Sequence, residues 1–186
     1  MLSHSRWRMR KHVESCRYPL GTIRRCVRGA MANENACTHE EKLMTESSDK
    51  GYRFFDHTAD VGLTATGKTM GELFTHAAQG LVELLVGESQ IASQDTRTIQ
   101  LQASSVEELL AAWLKELLYW FSTDRFLPAV YQLDEAGRTE LRGRIIGETF
   151  NPVRHAPGTE VKGITRHQFT VTETPDGWAA RIIFDV

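Results

Sequence analysis

Acid, imidazole and hydroxyl groups crowd into one short stretch, Phe54-Phe55-Asp56-His57-Thr58-Ala59-Asp60-Val61-Gly62, where an aromatic-rich strand is expected to end. A second acidic point is the end of the chain, Phe184-Asp185-Val186, where the Asp185 side chain and the Val186 α-carboxylate lie close by covalent geometry. If Asp60 meets that pair, three anionic groups converge. Such a cluster is unfavourable unless protons or a cation neutralise it, and all-oxygen donors suit a hard ion such as Ca²⁺, Mg²⁺ or Mn²⁺. The spacing alone does not bring Asp60 to Asp185, so a solvated turn aspartate and a frayed terminus remain the alternative.

Three other residues carry chemistry with a plainer reading beside it. His57 is a ligand or a base, or else a hydrogen-bonded structural histidine beside Thr58 and Asp60. Lys162, in Gly158-Thr159-Glu160-Val161-Lys162-Gly163-Ile164, is an exposed lysine or a cation for a carboxylate or phosphate at an interface. His155 and His167 have neither HxH nor HExxH spacing, which gives zinc no support. No Ser or Cys nucleophile motif, P-loop or dinucleotide glycine fingerprint occurs, so catalysis by this chain is not expected.

These groups need a scaffold, and length bounds it: 186 residues suffice for one well-buried core. Hydrophobic residues make up 41% and charged ones 25%, with a mean hydropathy of -0.35, and no apolar run is long enough to span a bilayer. Residues 1–50 hold ten Lys and Arg against six Asp and Glu, leaving twelve against eighteen in 51–186. An acidic body argues against binding nucleic acid through phosphates, although a local basic patch is compatible with it. Cys16, Cys26 and Cys37 all precede the body and are spaced like neither a zinc site nor a redox pair; cytoplasm is the expected compartment. Residues 1–50 show no sustained periodicity and read as a disordered basic and polar leader: an overextended start before Met31 or Met44, a harmless tail or a functional one.

Residues 51–186 read as one domain. Strands are expected at Tyr52–His57 and Leu63–Thr66, with Asp60-Val61-Gly62 as a bend between them. Thr69-Met70-Gly71-Glu72 and Ser105-Val106-Glu107-Glu108 are capping boxes that open two helices, the first stopping near Gly87 and the second near Phe121. The second helix has the wider apolar stripe, through Leu109, Leu110, Trp113, Leu114 and Leu117, and is expected at the centre of the core. Thr96–Ala103, Ala129–Leu133, Glu140–Glu148, Glu160–Glu173 and Trp178–Val186 complete the strands. Two helices, several hairpin signals and little βαβ regularity predict an α+β fold, a mixed β-sheet with the helices packed on one face.

His57-Thr58-Ala59-Asp60-Val61-Gly62, the two capped helices, Gly147-Glu148, Asn151-Pro152, His155, Gly158-Thr159-Glu160-Val161-Lys162 and the ending Asp185-Val186 occur in one order. In that order, over residues 52–186, the chain resembles the archease family. The resemblance implies an archease-like fold and a non-catalytic cofactor of an RtcB-type RNA ligase, which joins RNA ends in tRNA splicing and RNA repair with GTP and Mn²⁺. Such a cofactor promotes guanylylation of the ligase and its multiple turnover, and meets RNA only through the ligase. Asp60, Asp185 and the terminal carboxylate of Val186 match the family's metal site, with Ca²⁺ the first expectation and Mg²⁺ or Mn²⁺ the alternatives. Lys162 matches its functionally important lysine, and His57 is a candidate support. Gly163, Arg166 and Asn151 stand where alanine, tyrosine and aspartate are common in the family. Two rival readings are a general chaperone or modulator of an RNA methyltransferase, and a small metal-dependent hydrolase with His57 as base.

Overall fold

The computed structural model describes residues 50–57 and 60–186. The expectations for residues 1–49, and for the turn at Thr58 and Ala59, lie outside the described residues.

Strands β1 (Tyr52–His57) and β2 (Asp60–Gly67) pair antiparallel, and helix α1 (Met70–Val86) follows. Thr69 caps α1 by accepting from the Glu72 amide at 3.2 Å, while the Glu72 carboxylate reaches back to the Lys68 amide at 2.7 Å. Gly87, at φ 60°, ends the helix. After β3 (Asp95–Gln102), Ser105 caps helix α2 (Val106–Asp124), whose buried face includes Leu109, Leu110, Trp113, Leu114 and Leu117. The helix runs three residues beyond the expected stop and closes on Arg125, a left-handed residue at φ 55°. Then come β4 (Phe126–Ala136), β5 (Glu140–Thr149), β6 (Gly163–Thr174) and β7 (Gly177–Asp185).

The α+β class follows the prediction, with the strands divided into two sheets ordered β1-β2-β7-β6 and β3-β5-β4. Each described pairing is antiparallel, because the chain connects neighbours by hairpins and by returns through helices and not by βαβ crossovers. Both helices pack against strands of both sheets, and the Trp113 indole donates to the Phe74 carbonyl at 3.0 Å, tying α2 to α1. Leu63, Ala65, Ile182 and Phe184 of the four-stranded sheet enter this shared core. The alternate residues of the same strands therefore lie on the sheet's other face.

Further expected boundaries shift, and β4 runs Phe126–Ala136 where the pattern predicts Ala129–Leu133. Asp60-Val61-Gly62 is strand and not a bend, since the ladder to β1 begins at His57 opposite Asp60. Conversely, β6 starts at Gly163 and not at Glu160: the Gly158 and Thr159 amides are taken by α1 carbonyls, and only at Lys162, whose amide donates to the Asp185 carbonyl, does the chain reach β7.

Candidate functional site at the end of the four-stranded sheet

Register puts the predicted groups in one row. His57 lies opposite Asp60, Asp60 opposite Asp185, and Asp185 opposite Gly163, next in sequence to Lys162. Residues directly opposite in an antiparallel pair share a face. For His57, Asp60 and Asp185 that is the face away from the shared core, which also carries Phe55, Gly62 and Arg181. A Cβ on Gly62 would sit 2.1 Å from the Phe55 ring, so glycine lets that ring lie flat over β2. The Arg181 guanidinium stacks on the same ring, 4.0 Å from its centroid.

The charges around this row are unequal. Across the strands, Asp60 and Asp185 are like charges in direct opposition, an arrangement that costs stability when uncompensated. Among the described residues no Lys or Arg comes within ion-pair distance of either carboxylate; Asp60 has only His57, with Nδ1 3.6 Å from Oδ2. That Nδ1 is shielded from solvent and has no hydrogen-bond partner among the described residues, and the His57 ring meets the His167 ring edge-on at 6.5 Å. Lys162 is bound twice to the chain end: its amide donates to the Asp185 carbonyl at 2.8 Å, and its Nζ donates to a Val186 oxygen at 2.9 Å. Three carboxylates and one ammonium thus gather at the mouth of β2, β7 and β6, and their formal sum matches a divalent cation in magnitude.

Asp60, Asp185 and the Val186 carboxylate offer oxygen alone, the donor set of hard ions. Among the described residues no group of three His, Cys, Asp or Glu side chains forms a metal cage, and the third anion here is a main-chain terminus. All five sequence-predicted residues, His57, Asp60, Lys162, Asp185 and Val186, therefore fall in one region.

Sequence reasoning missed how the loop before Lys162 is held. Glu148 and His155 are the buried charged or polar residues among those described. The Asn151 amide donates to His155 Nδ1 at 2.9 Å, leaving Nε2 as the protonated nitrogen facing Glu148 Oε1 at 3.2 Å. Glu148 also accepts from the Ala92 amide at 2.5 Å and from the Arg154 guanidinium. Burial pushes the Glu148 carboxyl up, but the Ala92 amide, Arg154 and His155 outweigh it and hold it below the usual carboxylate range. Farther along, Gly158 and Thr159 donate to the Leu85 and Leu84 carbonyls of α1 at 3.0 and 2.7 Å. The visible signal was a Glu at a strand end, followed by a His in a loop dense in Asn, Pro and Gly.

Paired carboxylates at the end of an antiparallel sheet, backed by two capped helices, define a small α+β protein with an acidic tip. The archease protein family (MTH1598/TM1083) matches residues 52–186. A protein archease of Methanosarcina barkeri is 33% identical over 144 residues, covering 75% of this chain and 99% of that protein. Another, of Saccharolobus islandicus, is 34% identical over 139 residues, covering 74% and 99%. The solution structure of Methanobacterium thermoautotrophicum protein 1598 superposes with a TM-score of 0.63 at 30% identity, covering 74% of this chain and 99% of that one. The chain belongs to the archease family.

Proposed function

We propose that this protein is a non-catalytic cofactor of an RtcB-type RNA ligase, working in the cytoplasm to promote ligase guanylylation and multiple turnover in tRNA splicing or RNA repair. The observation that carries the reading is the register of β2 and β7, which sets Asp60 opposite Asp185 beside the Lys162–Val186 pair. Membership of the archease family is consistent with such a partner and supports the reading. No helix among the described residues is long and apolar enough to cross a membrane.

In this reading Asp60, Asp185 and the Val186 carboxylate hold a divalent ion, Ca²⁺ first and Mg²⁺ or Mn²⁺ otherwise, which offsets the repulsion between the two aspartates. Lys162 fixes the terminal carboxylate, and His57 flanks Asp60. The ion's contribution is positive charge and oxygen coordination at a tip presented to the ligase. The chain's own contribution is to keep three carboxylates on one rigid sheet end.

The test is multiple-turnover ligation by the cognate ligase, run alongside thermal unfolding with and without Ca²⁺. Wild type should stimulate turnover and gain stability from Ca²⁺, by about 2.7 kcal/mol at a hundredfold excess over Kd. Asp60→Ala, and a chain extended by one glycine after Val186, should lose both effects. Stimulation that survives both changes would retain the partner and remove the metal from the mechanism, whereas wild type that does not stimulate would remove the ligase role.

A further inference from the structure

Beside the acidic tip runs a cleft of about 570 Å³, within the size range of ligand pockets. One wall is the outer side of α2, where Lys115, Tyr119 and Ser122 recur at helical spacing; the other is the segment from Glu160 to Ile164. Leu85, Leu118 and Val161 give it an apolar lining. Tyr119 is 59% exposed, an aromatic ring left open to solvent on a helix whose other large apolar groups are mostly covered. Arg125 sits at the end of this wall, in a left-handed conformation that non-glycine residues adopt at a cost, with its guanidinium 5.3 Å from the centroid of the Phe121 ring.

Charge separates this cleft from the rest of an acidic body. Lys115, Arg125 and Lys162 line it against one acid, Glu160. Among the described residues neither Lys115 nor Arg125 has a carboxylate within ion-pair distance, while Asp124 is engaged by Arg97 at 2.9 Å. Cations interleaved with an open aromatic ring are the elements that hold single-stranded nucleic acid: the ring stacks a base and the cations take phosphates. An acidic peptide would use the cations but gain little from the exposed ring.

We infer that this cleft binds a short single-stranded RNA segment, with a base on Tyr119 and phosphate oxygens on Lys115 and Arg125. Lys162 is already held by Val186, and the two remaining cations limit the site to one or two nucleotides. The inference stands on the cleft and not on the ligase role. RNA binding is read without ligase, and a failure here leaves the Asp60 experiment untouched.

The experiment is fluorescence anisotropy of the full chain with a labelled single-stranded RNA octamer, at low salt. Tyr119→Ala should weaken binding about tenfold, and Tyr119→Phe should leave it within about twofold of wild type. Lys115→Gln should lower the slope of log affinity against log salt by about 0.7, one phosphate contact on a single strand. Glu160→Gln should tighten binding, and Arg138→Gln, outside the cleft, should change nothing. Because all variants keep residues 1–50, any attraction of that basic segment cancels from the comparison. Equal binding by wild type, Tyr119→Ala and Lys115→Gln overturns the inference, as does an Asp/Glu octapeptide that binds more tightly than the RNA.

Discussion

Glu148 is where one residue connects stability to the site. Its carboxylate accepts from Ala92, Arg154 and His155 while almost fully buried, and those donors hold it ionised below the ordinary carboxylate range. A depressed folded-state pKa contributes stability that is present above the unfolded value and is lost as pH falls through the folded one. Glu148→Ala should therefore cost about 3 kcal/mol at pH 7, read as a lower urea midpoint, because it strands buried donors. Glu148→Gln keeps an acceptor and should cost about half as much, and its deficit should shrink in acid as pH falls from the ordinary carboxylate range through the lowered folded-state value of Glu148. A deficit unchanged between pH 7 and pH 3 would mean that Glu148 acts through packing alone. The sequence marked the acidic residues of the tip, because Asp60 sits in a dense polar stretch and Asp185 precedes the chain end. It was silent on Glu148 and His155, whose pairing depends on a loop folding back over seven residues, and local pattern carries no such information.

At the scale of elements, helix starts were legible because a cap is a local hydrogen bond between residues three apart, as Thr69 with Glu72 and Ser105 with Glu108. Strand order was not, because the β2–β7 pairing joins residues more than a hundred positions apart, and only that pairing brings Asp60 to Asp185. The start of β6 was misread for a related reason. Val161 and Lys162 have strand-like composition, yet the chain before them is docked on the last turn of α1 by the Gly158 and Thr159 amides. Gly158 makes that docking sterically possible, since a Cβ there would lie 2.2 Å from the Leu84 carbonyl oxygen and 2.7 Å from the Leu85 carbonyl carbon. Both contacts are backbone and neither can swing aside. Gly158→Ala should lower stability by about 2 kcal/mol and speed hydrogen exchange at the Gly158 and Thr159 amides. It should also weaken ligase stimulation by displacing Lys162, with the N-terminal caps of both helices unaffected. Unchanged exchange at those two amides would show that the loop reaches Lys162 by another support.

Across the whole molecule, the question is where the folding unit begins. Residues from Lys50 on hold thirteen Lys and Arg against eighteen Asp and Glu, so the basic excess lies before Lys50 and the acidic tip belongs to an acidic body. The family match starts at Tyr52, and about three quarters of this chain covers nearly the full length of its archease relatives. Lys50 nonetheless bonds Glu83 at 2.9 Å and Glu88 at 2.7 Å, and the Tyr52 hydroxyl donates to Glu83 at 2.6 Å while its ring meets Phe54 edge-on. Burial and the Glu83 carboxylate push the Tyr52 hydroxyl up, keeping it a neutral donor throughout the working pH range. These contacts tie Lys50 and Tyr52 to the C-terminal end of α1 and the turn after it. A chain cut to begin at Lys50 should unfold within about 2 °C of the full chain and stimulate the ligase equally. A cut at Phe54 also removes Tyr52 packing, its bond to Glu83 and the first rungs of β1, worth about 2–3 kcal/mol together, and should lower Tm by roughly 5–10 °C. Equal Tm values for the two cuts would show that Tyr52 contributes nothing to the fold. A collapse of the Lys50 cut itself would make the preceding residues part of the folding unit, and would move its boundary upstream of the family match.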